Sequence, residues 1–167
     1  MVINDDETKK IIRDIKICFE SIGLSIAAEE EGDQHVTLYS EIEGNDYTMQ
    51  LQVTFCPIAE IILLCVAFSV TVPPESTEVL CELANLANSK MLTDYVTICP
   101  DSGEIMLHSS FMITDSSLDK DQFEFSLSQI LTDGSLIFRL FCTQVYSELS
   151  PQKHFGRFIS ENKDPES

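Results

Sequence analysis

Three histidines, His35, His108 and His154, are the side chains of this sequence best suited by their ordinary pKa to general acid–base work near neutral pH. A base activates a nucleophile only within hydrogen-bond reach. The three fall at the start of one strand pattern, inside another, and beyond Pro151, so nothing in their spacing brings them together. His108 stands in Met106-Leu107-His108-Ser109-Ser110, whereas a nucleophilic serine usually needs a strained, glycine-flanked turn. The alternation around it predicts a histidine on a sheet face. A hydrolase using His108 and a neighbouring serine is accordingly the weakest functional reading.

Cys18, Cys56, Cys65, Cys81, Cys99 and Cys142 are scattered singly, without a C-x-x-C pair, so neither a zinc ribbon nor a dithiol redox motif is present. Cys56 and Cys65 flank the Pro57 turn asymmetrically and are expected not to face each other. Asp94, Asp101, Glu104 and Asp115 could form a carboxylate set near one end of a hairpin. Their spacing matches no calcium loop, and acids in turns are more often turn formers than metal ligands. The glycines are dispersed, with no Walker or dinucleotide fingerprint. No cofactor or metal is expected.

The charge excludes more. With 28 acidic residues against 10 basic ones in 167, the formal net charge is −18. Nucleic-acid and anionic-lipid binding depend on clustered Lys and Arg. Here no Lys or Arg occurs between Ile17 and Ser89, and Lys90 stands alone as far as Asp119. The acidic surface serves solubility first, and a preference for basic partners second. The acidic N-terminus lacks a secretory pattern, and the most apolar stretch, Ile58 to Val72, is interrupted by Glu60 and ends at Pro73-Pro74. A cytoplasmic protein without membrane insertion is expected.

Such residues must be positioned by an α+β fold. Acids at Asp5-Asp6-Glu7 precede an apolar stripe at Ile11, Ile15, Cys18, Phe19 and Ile22, predicting a first helix from about Asp6 to Ile22. Glu29-Glu30-Glu31-Gly32-Asp33 reads as a loop, after which the period changes to two. Strands are expected around Val36 to Ile42, from Tyr47 to Phe55 after a Gly44-Asn45 hairpin, and from Glu60 to Val72. The last, apolar on both faces at first, must be central or covered on both sides. Pro73-Pro74, Ser76 and Thr77 open a second helix to about Ser89. Leu92 to Cys99 and Glu104 to Ile113 form a hairpin across Pro100-Asp101-Ser102-Gly103, with glycine at the left-handed position. A long helix follows from near Ser117, with Phe123, Leu127, Ile130, Phe138, Phe141 and Val145 on its stripe and Gly134 as a candidate kink. Pro151 is expected to end the domain, leaving 1–150 folded and 151–167 as a polar tail.

The order α-β-β-β-α-β-β-α, with helices on a five-stranded, mainly antiparallel sheet, resembles the fold of type III secretion chaperones and of the YbjN family, described as bacterial sensory transduction regulators. The motif Leu83-Ala84-Asn85-Leu86-Ala87-Asn88 and the turn at Asp101-Ser102-Gly103 carry the likeness, which runs from about Asp6 to Ser147. It implies a small acidic homodimer without catalytic residues, holding an extended protein or peptide client. Asn85 and Asn88 are client-contact candidates on that view, although asparagine near a helix end commonly bonds local backbone.

The resulting expectation is a non-enzymatic, chaperone-like or regulatory adaptor that binds a protein or peptide segment. A small-molecule-sensing regulatory domain is the alternative. Binding is placed on the sheet face away from the first and third helices, at Tyr39, Gln50, Gln52, Ile61, Leu63, Tyr95, Met106 and Met112, with Asn85 and Asn88 of the second helix. Ile61, Leu63 and the methionines are poorly placed in water unless a second subunit or a client covers them.

Overall fold

Asn4 starts the first helix by a capping box: its side chain accepts from the Asp6 and Glu7 amides, and Glu7 accepts from the Asn4 amide in return. In the computed structural model, which describes residues 3–44, 47–99 and 101–162, this helix, α1, spans Asp5–Ser21. The strands are β1 (Ala28–Glu31), β2 (Val36–Glu43), β3 (Thr48–Cys56), β4 (Ile61–Thr71), β5 (Tyr95–Ile98) and β6 (Glu104–Met112). A 3-10 turn at Pro74–Ser76 leads into α2 (Thr77–Asn88), and α3 (Lys120–Val145) and α4 (Pro151–Glu161) complete the chain. Asn45 of the expected first hairpin, Pro100 of the second turn and residues 163–167 of the expected tail lie outside the described residues.

The sheet has six strands in the order β1-β2-β3-β4-β6-β5, every neighbouring pair antiparallel. The expected count of five is corrected by β1, formed from the segment read as a loop. All four of its residues are exposed, so it has no apolar alternation to betray it. β4 is central, between β3 and β6.

Period-two alternation sorts the faces. Leu38, Val53 and Leu64 stand in one cross-strand row of the covered face; Ser40, Leu51, Val66, Leu107 and Val96 stand in the next. All of these are buried. α3 lies over this face. A Cβ on Gly134 would come within 3.4 Å of Met49 Sδ and Val66 Cγ1, which places the helix backbone directly on β3 and β4. The glycine expected to kink α3 instead permits a close approach within one unbroken helix. Phe123 meets Phe111 of β6 edge-on at 5.5 Å, and Phe138 packs on Phe68 at 5.7 Å. α1 is tied to α3 by Lys120 to Asp14 at 2.9 Å and by Ser21 to Glu124 at 2.7 Å. At the β5–β6 turn Gly103 has φ +71°, and a Cβ there would sit 2.8 Å from the Val72 carbonyl oxygen.

The expected polar tail is also corrected: residues 151–161 form α4. Pro151 occupies the first turn, where its missing N–H costs nothing, and Pro151, His154 and Phe155 are buried. Gln152 bonds Glu82 of α2, and His154 Nε2 lies 3.1 Å from Thr143 Oγ1 of α3.

Both sheet edges are protected. On β1 three consecutive glutamates, Glu29, Glu30 and Glu31, repel an added strand. On β5 the Asn88 side chain imitates a neighbouring strand, accepting from the Val96 amide at 2.7 Å and donating to the Val96 carbonyl at 3.0 Å. Asn88→Ala strips both bonds from a buried residue's backbone, and the expected loss is roughly 1–3 kcal/mol in urea unfolding. A change under a few tenths would show that water replaces the amide freely.

Candidate binding face

The open face of the sheet is a continuous surface. Tyr39, Gln52, Cys65, His108 and Tyr95 form one row across β2, β3, β4, β6 and β5. Glu41, Gln50, Ala67, Met106 and Thr97 form the row on one side of it. On the other side stand Thr54, Leu63 and Ser110, and beyond them Cys56, Ile61 and Met112. The structure thus brings the eight sheet residues expected for binding onto one face, in register. Leu63 is 43% exposed, Tyr95 51% and Met112 70%.

Its electrostatics set it apart from the rest of the chain. From Thr48 to Cys56, from Ile61 to Thr71, from Tyr95 to Ile98 and from Met106 to Met112, no Asp, Glu, Lys or Arg occurs. On a chain of net charge −18, β3, β4, β5 and β6 from Met106 onward therefore present an uncharged field, bordered by Glu104 at the start of β6. Charge returns at the margin, where Tyr39 donates its hydroxyl to Glu30 at 3.0 Å, a bond that raises the phenol's pKa. Burial, with a smaller contribution from Glu104, pushes the Cys65 thiol up to about 11, so at neutral pH it is an unreactive thiol.

His108 lies within the central row, stacked on Tyr95 at 4.9 Å, its Nε2 2.8 Å from Thr97 Oγ1. Its ring nitrogen is engaged by a threonine on the neighbouring strand, and Ser109 belongs to the opposite face. Burial lowers the His108 pKa from its ordinary 6.5. Folding therefore favours the neutral ring. The stability this gives is complete above the unfolded pKa and is lost as pH falls through the window below 6.5. Between about pH 7 and pH 5 the wild type should lose more stability than His108→Gln, which keeps a partner for Thr97. An equal loss in both proteins would show that His108 does not supply the pH dependence.

The four carboxylates weighed as a cation set, and read instead as turn formers, do not converge on one site. Asp94 precedes β5 while Asp101 and Glu104 lie at its other end, and no group of three or more His, Cys, Asp or Glu arranged for a metal occurs among the described residues. The register sets Cys56 opposite Ile61 and Cys65 opposite Gln52, so these two do not face each other. Asn85 is exposed on α2; Asn88 has its amide committed to Val96.

A family model for "YbjN: Putative bacterial sensory transduction regulator" matches residues 15–143. The chain belongs to the YbjN family. The match takes in α2, the whole open face and most of α3, and ends before α4. The fold is similar to the "Crystal structure of YbjN, a putative transcription regulator from E. coli", with a TM-score of 0.56 and 16% sequence identity, over 80% of this chain and 93% of that one. No curated protein sequence matches. YbjN membership therefore rests on the family model, and the solved structure supports the shared α+β fold. No helix among the described residues is long and apolar enough to cross a membrane.

Proposed function

We propose that this YbjN-family chain is a non-enzymatic regulatory adaptor of the cytoplasm that binds a protein or peptide segment on the open face of its sheet. The observation that carries the reading is the uncharged field around Leu63, Tyr95, Met106 and Met112 on an otherwise strongly acidic chain. Bringing charges to a protein interface is costly unless each is paired, and on this face the acids stand at the borders of the field, at Glu41 of β2 and Glu104 at the start of β6. Methionine adapts its shape to varied apolar partners, which suits a client segment as well as a second copy of the chain. The protected edges favour the face over strand addition as the mode of binding. The resemblance to secretion chaperones supports a homodimer that receives an extended client, and the family's description as a regulator is in keeping with an adaptor.

The test is to capture partners from the native cell, rebuild a complex from purified components, and map it by hydrogen exchange. Slowed exchange in β4 and β6 is expected. Protection confined to the helices would overturn the reading.

The alternative, a small-molecule sensor, has one observation in its favour: a cleft of about 350 Å³ between α3 and α4 that includes Arg139, Thr143, His154 and Arg157. Arg157 is already paired with Glu161 at 2.6 Å, and α4 lies beyond the family match. The adaptor reading is therefore preferred.

A further inference from the structure

Leu92, just after α2, is 101% exposed, and Phe125, on α3, is 68% exposed. One exposed leucine is ordinary. Here two large apolar side chains from separate elements line one groove of about 400 Å³, together with Met91, Gln129, Asp94 and Asp133. The groove is continuous, through Lys90, Met91 and Asp133, with an apolar cleft of about 220 Å³ that reaches Leu136, Ile137 and Phe158. None of these residues belongs to the open sheet face.

The carboxylates distinguish this groove from a bare apolar patch. Asp94 is only 8% exposed and accepts from Thr93 Oγ1 at 3.0 Å; Asp133 accepts from Gln129 Nε2 at 3.0 Å. Burial first, and the neighbouring Asp94 among the lesser causes, raise the pKa of Asp133. Among the described residues neither acid has an ion pair, and Lys90, the cation of the same groove, is paired with neither. Two adjacent, partly desolvated carboxylates repel each other, and either proton uptake by one of them or a cation set beside them relieves it.

We infer that this groove docks a peptide segment of a partner protein in which a Lys or Arg, set beside Asp94 and Asp133, is flanked by large apolar side chains that cover Leu92 and Phe125. Charge complementarity selects this occupant. The acidic groove attracts cationic segments, whereas a second copy of this −18 chain seated there would bring mostly acids to it. The arrangement also separates stability from binding: removing one carboxylate relieves repulsion in the free protein and removes the docking charge from the complex.

The probe is a display library of random linear peptides, selected on the full-length wild type and counter-selected on Leu92→Glu/Phe125→Glu. Both substituted residues are exposed, so this variant should melt with the wild type. Enriched peptides are expected to carry Lys or Arg within one helical turn of Phe, Leu, Ile or Trp. They should bind the double variant, and Asp94→Asn/Asp133→Asn, about tenfold or more weakly. The asparagine variant should melt no lower than the wild type. No enrichment overturns the inference, as does enrichment of neutral or acidic peptides. So does equal binding to the Leu92/Phe125 variant, which would place the peptides elsewhere, including the sheet face. Light scattering that shows Leu92→Glu/Phe125→Glu dissociating a wild-type oligomer would identify a second copy as the occupant, and also overturns it.

Discussion

Leu63→Glu/Met112→Glu is expected to fold normally and to lose partner binding by about a hundredfold or more. Met112 pairs with Ile61, and Leu63 lies two residues further along β4, so the two substituted positions are diagonal neighbours across β4 and β6. Both are substantially exposed in the single chain, at 43% and 70%. The new carboxylates are solvated there, and the cost to folding is limited to the lower strand preference of glutamate, on the order of 1 kcal/mol. In a complex that covers the face the same carboxylates lose their water, with no Lys or Arg on β3, β4, β5 or β6 to receive them. An unpaired charge buried in an interface costs several kcal/mol, and each 1.4 kcal/mol is about tenfold in affinity. Light scattering reads dimerisation, and titration of a reconstituted complex reads partner affinity; one or both should collapse while the urea midpoint stays near that of the wild type. A double variant that keeps both its oligomeric state and its partner affinity would remove the open face from the proposal. A variant that merely unfolds would be recognised by the midpoint, and Leu63→Gln/Met112→Gln then repeats the test with neutral side chains and a smaller expected loss.

Parity is why this face can be read from the sequence. In an antiparallel ladder, residues two apart share a face, so placing Ile61 with Leu63, or Met106 with Met112, needs only the strand assignment. The irregularity in β4–β6 pairing falls between Ala67 and Thr71, beyond the residues that matter. The long-range row from Tyr39 to Tyr95 is not legible, because strand order depends on tertiary packing. β1 leaves no signal: an edge strand with both faces in water needs no apolar period, and three glutamates in succession look the same in a loop. α4 does leave one. Phe155, Phe158 and Ile159 recur at helical spacing behind Pro151, a residue as fit to start a helix as to stop one. Asn88 is legible as a backbone-bonding residue, but not that its partner, Val96, lies on the following strand. Leu92 and Phe125 carry no warning, since an apolar residue in a loop and one beside a helical stripe become a groove only when α2 and α3 are set side by side.

The two phenylalanines at positions 123 and 125 give the largest expected contrast in stability. They are two positions apart on the same helix, so α3 turns them to very different surroundings. Phe123 is fully buried, edge-on to Phe111 of β6 at 5.5 Å, and belongs to the core beneath the sheet. Its truncation removes the transfer energy of a large aromatic and leaves a cavity that the sheet cannot close, because β6 is held on both sides by β4 and β5. Phe123→Ala should therefore cost about 3–5 kcal/mol, a large share of the whole stability of an ordinary domain. Phe125 is 68% exposed and contributes little to packing. Phe125→Ala should stay within about 0.5 kcal/mol of the wild type, helped slightly by the higher helix preference of alanine. Urea unfolding of the two single variants reads both values on one scale. Equal losses would mean that α3 is rotated from the position described, and with it both the core contact at Phe111 and the groove at Leu92 would have to be redrawn.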